Sequence, residues 1–277
     1  MNKILYILII LFGASCINQA QNLERQKVFA DSLFNSENYF DAITEYKRLQ
    51  FFSEASENYY EINMQIALCY KAGGKYDDAI KYFNLAKLIA KSSEESRKIE
   101  LQIIRTNILR RTIPEALVLL NKLDITNTNY LDFSTISYWK GWAYLMNDDW
   151  EQASNEFEKI DKFHPLKILA DGVCNKKYSV GFAKFISFVL PGSGQFYTGN
   201  YVSGVFSLGW NILWGYVTIN AFMTDRALEG ILVGSLLWTR FYRGNFQNAE
   251  KFAIKNNNEI SNNAYEYLAN KYLGEKP

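Results

Sequence analysis

The sequence predicts an all-α protein in two parts, a solenoid of helical hairpins followed by a small module of apolar helices. Three observations carry this prediction. Alanines recur at positions 42, 79, 116 and 153, always 37 residues apart. Residues 185–224 run for 40 positions without a charged side chain. One proline and three glycines, at 191, 192, 194 and 199, interrupt that run. A fixed period of this length marks stacked helical hairpins, an uncharged stretch this long exceeds what a soluble helix needs, and dense Pro/Gly is turn chemistry.

At the N-terminus Lys3 precedes a nine-residue apolar run, 4–12, and small and polar residues follow up to Ala20. The run is too short to span a bilayer and has the shape of a secretory signal. Residues 1–20 are therefore expected to be removed after Ala20. Two alternatives stay open. One is a lipoprotein signal in which Gly13-Ala14-Ser15 precedes an acylated Cys16, although the Leu usual three positions earlier is missing. The other is an uncleaved anchor.

Residues 21–170 read as four units of 37 residues. Around three of the repeat alanines, aromatics stand three before and four after: Tyr39 and Tyr46, Tyr76 and Phe83, Trp150 and Phe157. Twelve residues upstream lie Ala30, Ala67, Ile104 and Gly141, and nine upstream lie Leu33, Tyr70, Asn107 and Tyr144. A small Ala lets two helices approach while aromatics fill the space between hairpins. The third unit departs at Ile104, Asn107 and Leu120, yet Pro114 still stands where a second helix begins.

These spacings resemble the tetratricopeptide repeat over about residues 24–165. The resemblance implies a TPR-like helical-hairpin solenoid whose first helices line a concave face that holds peptides or proteins. On that reading Phe34, Asn35, Met64, Leu68, Lys71, Arg105, Tyr138 and Trp142 are the candidate binding residues. The competing assignment is that they pack between helices, Leu68 and Trp142 above all, and that Lys71 and Arg105 are simply solvated. No basic clamp for a peptide carboxylate is recognisable.

Residues 171–245 read as a transmembrane helical module. Its first arm, 179–190, is too short to span alone. Tyr201–Met223 offers 23 residues, roughly 35 Å of helix against a bilayer core of about 30 Å. Pro191, Gly192, Gly194 and Gly199 supply the turn, and Gln195, Tyr197 and Asn200 supply the hydrogen-bonding groups that a non-helical turn needs where lipid offers none. A polar turn at 225–229 leads into a second apolar segment, 230–238. Small or polar residues recur every fourth position at Gly199, Ser203, Ser207, Asn211 and Gly215, and Gly230 and Gly234 form a second small pair. Such faces let membrane helices pack closely, so Ser207 and Asn211 are expected to face Gly230 and Gly234. Residues 246–277 read as an amphipathic C-terminal helix lying along the membrane.

The pattern Pro191-Gly-x-Gly-Gln-x-Tyr197-x-Gly199, followed by an apolar span and Tyr242-x-Gly-Asn245-x-x-x-Ala249, resembles a bacterial small transmembrane module of unassigned function. In bacterial envelope proteins such modules follow tetratricopeptide repeats. The resemblance implies no activity.

Charge and chemistry narrow the function classes. Residues 1–173 carry 20 Lys/Arg against 23 Asp/Glu and residues 174–277 carry 10 against 6. The basic half is the apolar half, as anionic lipid would favour, and neither half has the dense basic run of a nucleic-acid binder. Cys16, Cys69 and Cys174 have no metal or redox spacing. The single histidine, His164, adjoins Pro165 and reads as a helix-terminal residue. Glu94-Glu95 and Asp148-Asp149 are sequence neighbours whose side chains diverge on a helix, and Gly192-x-Gly194 lacks the Lys and Ser/Thr of a phosphate loop. Neither catalysis, a cofactor, a metal nor a small-molecule substrate is expected. The expected protein is an envelope scaffold in the bacterial inner membrane, its repeats in the periplasm, with membrane lipid and an unknown protein or peptide as partners. The alternative is a membrane module acting in protein insertion or transport, with the repeats as its regulatory part.

Overall fold

The computed structural model describes residues 23–53, 59–126 and 130–277 and is all-α, with no strand among the described residues. The signal expected at 1–20, with Cys16, lies outside them. The chain divides into two compact units that part between Asp149 and Trp150, upstream of the boundary expected at 170.

In the first unit, helices α1 (Leu23–Asn35), α2 (Tyr39–Phe52), α3 (Tyr59–Ala72), α4 (Tyr76–Leu88), α5 (Ser93–Arg110), α6 (Ile113–Thr126) and α7 (Tyr130–Met146) follow one another as hairpins packed on their neighbours. This is a TPR-like solenoid. The repeat positions are the core positions: Ala30, Ala67, Ala42, Ala79, Ala116, Tyr46, Phe83 and Leu120 are all buried. Between α1, α2 and α3 the core gathers Ala30, Ala42, Ile43, Tyr46, Leu49, Ile62, Ile66 and Cys69. Tyr46 donates its hydroxyl to Asp31, and burial together with that carboxylate holds its phenol far above the ordinary value. Burial also pushes the Cys69 thiol up to about 12, so this unpaired cysteine behaves as a small apolar core residue.

The period has a backbone signature too. Glu37, Gly74, Arg111 and Asp148, each 37 residues from the last, all have φ near +60 to +70°. At each, the same pair of bonds closes the first helix of the hairpin. Glu37 N–H and Asn38 N–H donate to Phe34 and Leu33 carbonyls, Gly74 and Lys75 to Lys71 and Tyr70, Arg111 and Thr112 to Ile108 and Asn107, Asp148 and Asp149 to Leu145 and Tyr144. This is the left-handed helix-ending motif that satisfies the last carbonyls. The odd residue of unit three fits it. Asn107 is buried, donates Nδ2–H to the Ile103 carbonyl and accepts from Thr112 Oγ1 at 2.8 Å, so a polar side chain replaces an aromatic without stranding a group.

The second unit contains α8 (Trp150–Glu158), α9 (Pro165–Lys176), α10 (Val180–Val189), the short α11 (Ser193–Tyr197), α12 (Tyr201–Met223), α13 (Ala227–Val233) and α14 (Thr239–Asn270). The fourth expected repeat is thus divided, α7 in the first unit and α8 in the second. A π-helical turn at Gly234–Trp238 joins α13 to α14 without a break. His164 caps α9, its Nδ1 accepting from Leu166 N–H ahead of Pro165 at the first helical turn. Ser179 caps α10 in the same way through Phe182 N–H. α14 carries a buried stripe, Asn245, Ala249, Ala253, Ser261, Ala264 and Leu268, and α10, α9 and α12 pack along it.

Candidate functional site

Two regions hold the residues singled out in the sequence. On the first helices of the solenoid hairpins, Asn35 is exposed, and Phe34, Met64, Leu68, Lys71, Arg105 and Tyr138 are half-buried. Trp142 is only 3% exposed. It belongs to the core and not to an open face, because a ring of that size in a close-packed hairpin is worth more buried than solvated. Several of the others are engaged by neighbours. Phe34 meets Tyr39 edge-on at 5.7 Å, Met64 and Leu68 pack on the cluster around Phe83, Lys71 Nζ donates to Gln102 Oε1 at 3.1 Å, and the Arg105 guanidinium lies 4.7 Å from the Trp139 ring centre. Composition did not flag one further grouping: Lys47 Nζ sits 5.5 Å from both the Tyr70 and Tyr82 rings, which stack on each other.

The second region lies in the apolar unit, where two motifs about 50 residues apart in sequence meet. Asn245, 2% exposed, is the centre. Its Oδ1 accepts from Gly192 N–H at 2.8 Å, Ser207 Oγ at 2.8 Å and Gln195 Nε2 at 3.2 Å, and its Nδ2 donates to the Ser187 carbonyl. Gln195, fully buried, also donates to the Asn245 carbonyl at 2.9 Å and accepts from Ser187 Oγ, which itself accepts from Gly194 N–H at 2.9 Å. The Tyr242 hydroxyl donates to the Phe188 carbonyl, and Tyr197 Oη accepts from Ser179 N–H at 3.2 Å. Asn257 acts as a peptide mimic, accepting from Tyr178 N–H and donating to its carbonyl.

The glycines of the turn have separate tasks. Gly192, following Pro191, holds φ +93°, and a Cβ there would stand 2.5 Å from the Gly204 carbonyl oxygen. A Cβ on Gly194 would stand 2.2 Å from the Ala183 oxygen, 2.3 Å from Ser187 Oγ and 2.7 Å from Ala249 Cβ. At Gly194, therefore, α10 and α14 both approach α11 too closely for a side chain. Gly199 ends α11 with φ +76°.

The register of the α12 hairpin corrects one expectation. Gly230 faces the Phe222 ring and Gly234 faces Thr218, while Ser207 faces Asn245. The tight turn at 224–226 pairs positions equidistant from Arg226, so Ser207 and Asn211 lie too far from the turn to meet Gly230 and Gly234. Asn211 donates Nδ2–H to the Ser207 carbonyl of its own helix. Between α12 and α14 a cavity of about 660 Å³ opens, lined by Ser203, Ser207, Trp210 and Asn211 on one side and by Ser235, Thr239, Arg240, Phe241, Arg243 and Asn245 on the other. Trp210 and Trp214 both stack on Phe241.

The residues weighed for catalysis are occupied structurally. His164 stacks on Phe157 at 5.0 Å, and burial lowers its pKa below the usual imidazole value. Glu94 pairs with Lys98 while Glu95 N–H is capped by Ser92 Oγ, and Asp148 forms a turn. Among the described residues no group of three or more His, Cys, Asp or Glu is placed to hold a metal.

Comparison with known proteins gives one finding for the solenoid. A tetratricopeptide-repeat family model matches residues 63–89, which fall on α3 and α4 and support a protein-interaction surface there. No curated protein and no solved structure matches the chain significantly. Among the described residues one helix, α12, is long and apolar enough to cross a membrane by length and composition.

Proposed function

We propose that the protein is a membrane-anchored envelope scaffold, held by the second unit and presenting the solenoid to a protein or peptide partner. The observation that carries the anchor is the outward apolar surface of α12. A core helix of a soluble bundle is mostly buried, whereas the most apolar stretch of α12 is 22% buried, and Val202, Val205, Ile212, Tyr216 and Ile219 are all exposed. Lipid is the solvent that such a surface suits. The location follows from the signal shape of residues 1–20: inner membrane, repeats in the periplasm, with lipoprotein attachment through Cys16 as the alternative. The hydrogen bonds that join Pro191–Gly199 to Tyr242–Asn245 support reading residues 171–245 as one module like the bacterial one they resemble.

The scaffold reading is tested by placing a photo-crosslinking amino acid at Asn35, Met64 or Tyr138, on first helices, and at Lys81, exposed on a second helix. Discrete adducts from the first set alone are expected in native membranes. Equal labelling from Lys81, or none from the first set, contradicts the reading. One observation favours the second reading, a membrane module acting in insertion or transport: the polar residues Ser203, Ser207 and Asn211 line a cavity.

A further inference from the structure

The cavity between α12 and α14 carries positive charge with no counter-charge. Arg240 and Arg243 both line it, no acidic side chain does, and neither arginine has a hydrogen-bond or ion-pair partner among the described residues. By the hairpin register they stand beside the middle of α12, near Asn211, not at its ends. Arginine at such depth is costly unless it meets an anion, and marks a functional site. A buried acceptor lies in the same wall: Asn211 is 6% exposed and its Oδ1 has no partner. The π-helical turn at Gly234–Trp238 adjoins the cavity through Ser235 and Thr239, a distortion often found at functional sites. A second crevice of about 390 Å³, lined by Trp238, Thr239, Tyr242 and Arg243, shares Thr239 and Arg243 with the first.

We propose that the cavity binds an anionic phospholipid of the phosphoglycerol type. Arg240 and Arg243 take the phosphodiester, since planar guanidinium forks match its two free oxygens. A headgroup hydroxyl supplies the donor that Asn211 lacks, and an acyl chain lies in the crevice beside Trp238 and Tyr242. A zwitterionic headgroup brings its own cation toward two arginines and is disfavoured, while a soluble phosphate leaves the apolar crevice unused. The proposal rests on the membrane reading of the second unit.

The test is native mass spectrometry of the full chain, released from detergent after exposure to an equimolar mixture of phosphatidylglycerol and phosphatidylcholine, with circular dichroism as a check of fold. The wild type is expected to retain phosphatidylglycerol on the order of tenfold over phosphatidylcholine. R240Q/R243Q brings the ratio near one. N248D, which places a carboxylate at an exposed position of the cavity wall, lowers it without disturbing the core. K251Q, an exposed charge outside the cavity, leaves it unchanged. A wild-type ratio near one, or a ratio that survives both R240Q/R243Q and N248D, overturns the site. Displacement by glycerol phosphate as effective as by the lipid overturns the lipid assignment in favour of a soluble phosphate. A chain that stays dispersed without detergent overturns the membrane reading itself.

Discussion

Replacing Asn245 by Leu should unfold the second unit more than any other single change of similar size. Leu keeps the same number and branching of side-chain heavy atoms, though with more bulk, and offers no polar atom, so Gly192 N–H and the Ser187 carbonyl, both held by the Asn245 side chain, lose their partners inside a buried site. Gln195 keeps the Asn245 backbone carbonyl, and Ser207, half-exposed on the cavity wall, can turn to another acceptor. Two stranded buried groups cost about 1–3 kcal/mol each, hence about 2–6 kcal/mol together. At about 3 °C per kcal/mol for a unit of this size, the melting temperature falls by on the order of 6–18 °C. The comparison variant is Asn248→Leu, exposed and without a hydrogen bond of its own, which should stay within about 0.5 kcal/mol of wild type. Thermal unfolding of both variants in detergent, followed by helical circular dichroism, makes the measurement. If Asn245→Leu melts with Asn248→Leu, the network is not what joins the two motifs.

Three further outcomes are expected. Gly194→Ala forces a Cβ against the Ala183 carbonyl, Ser187 and Ala249 and should cost about 1–3 kcal/mol, whereas Gly209→Ala, with nothing within 4 Å, should gain up to about 1 kcal/mol of helix propensity; equal melting temperatures refute the close approach. In the solenoid, Glu37→Gly relieves and Gly74→Ala imposes a left-handed residue, so denaturant midpoints should move in opposite directions, each by about 1 kcal/mol; shifts of the same sign refute the shared turn. His164 accepts Leu166 N–H only when neutral, and burial depresses its pKa, so its contribution is full above the unfolded value of about 6.5 and is lost as pH falls through that range toward the folded pKa. His164→Asn, which keeps a capping acceptor, should flatten the wild-type loss of melting temperature between about pH 7 and pH 5, and an unchanged profile argues against the cap.

The solenoid was legible because its signal is steric. An alanine that lets helices meet cannot change without moving a helix, so Ala42, Ala79 and Ala116 repeat in the sequence as they do in the core. The matching left-handed turns were not legible, since only Gly74 of the four is a glycine and Glu37, Arg111 and Asp148 look like ordinary surface charges. Asn107 looked like a lapse in the repeat because its compensation, Thr112, is a separate residue beyond a turn. In the apolar unit the turn residues were visible, but the partner of each was not. The stripe Ser203, Ser207 and Asn211 announces a face, while the face it meets depends on register, which the turn at 224–226 sets. Asn245 appeared in a motif, with nothing in that motif to say that it reaches back to Gly192 and Gln195. Trp142 shows the limit of position alone: a helix site that suits a binding face also suits the core.

The most direct test of the account is the partition of the full chain between membrane and solution under alkaline carbonate, beside a version ending at Asp149, where the first compact unit ends. The account predicts that the full chain stays in the membrane pellet, held by the apolar surface of α12, and that the shortened chain is a soluble helical domain, because each solenoid hairpin packs on its neighbours. Release of the full chain into the supernatant would contradict it.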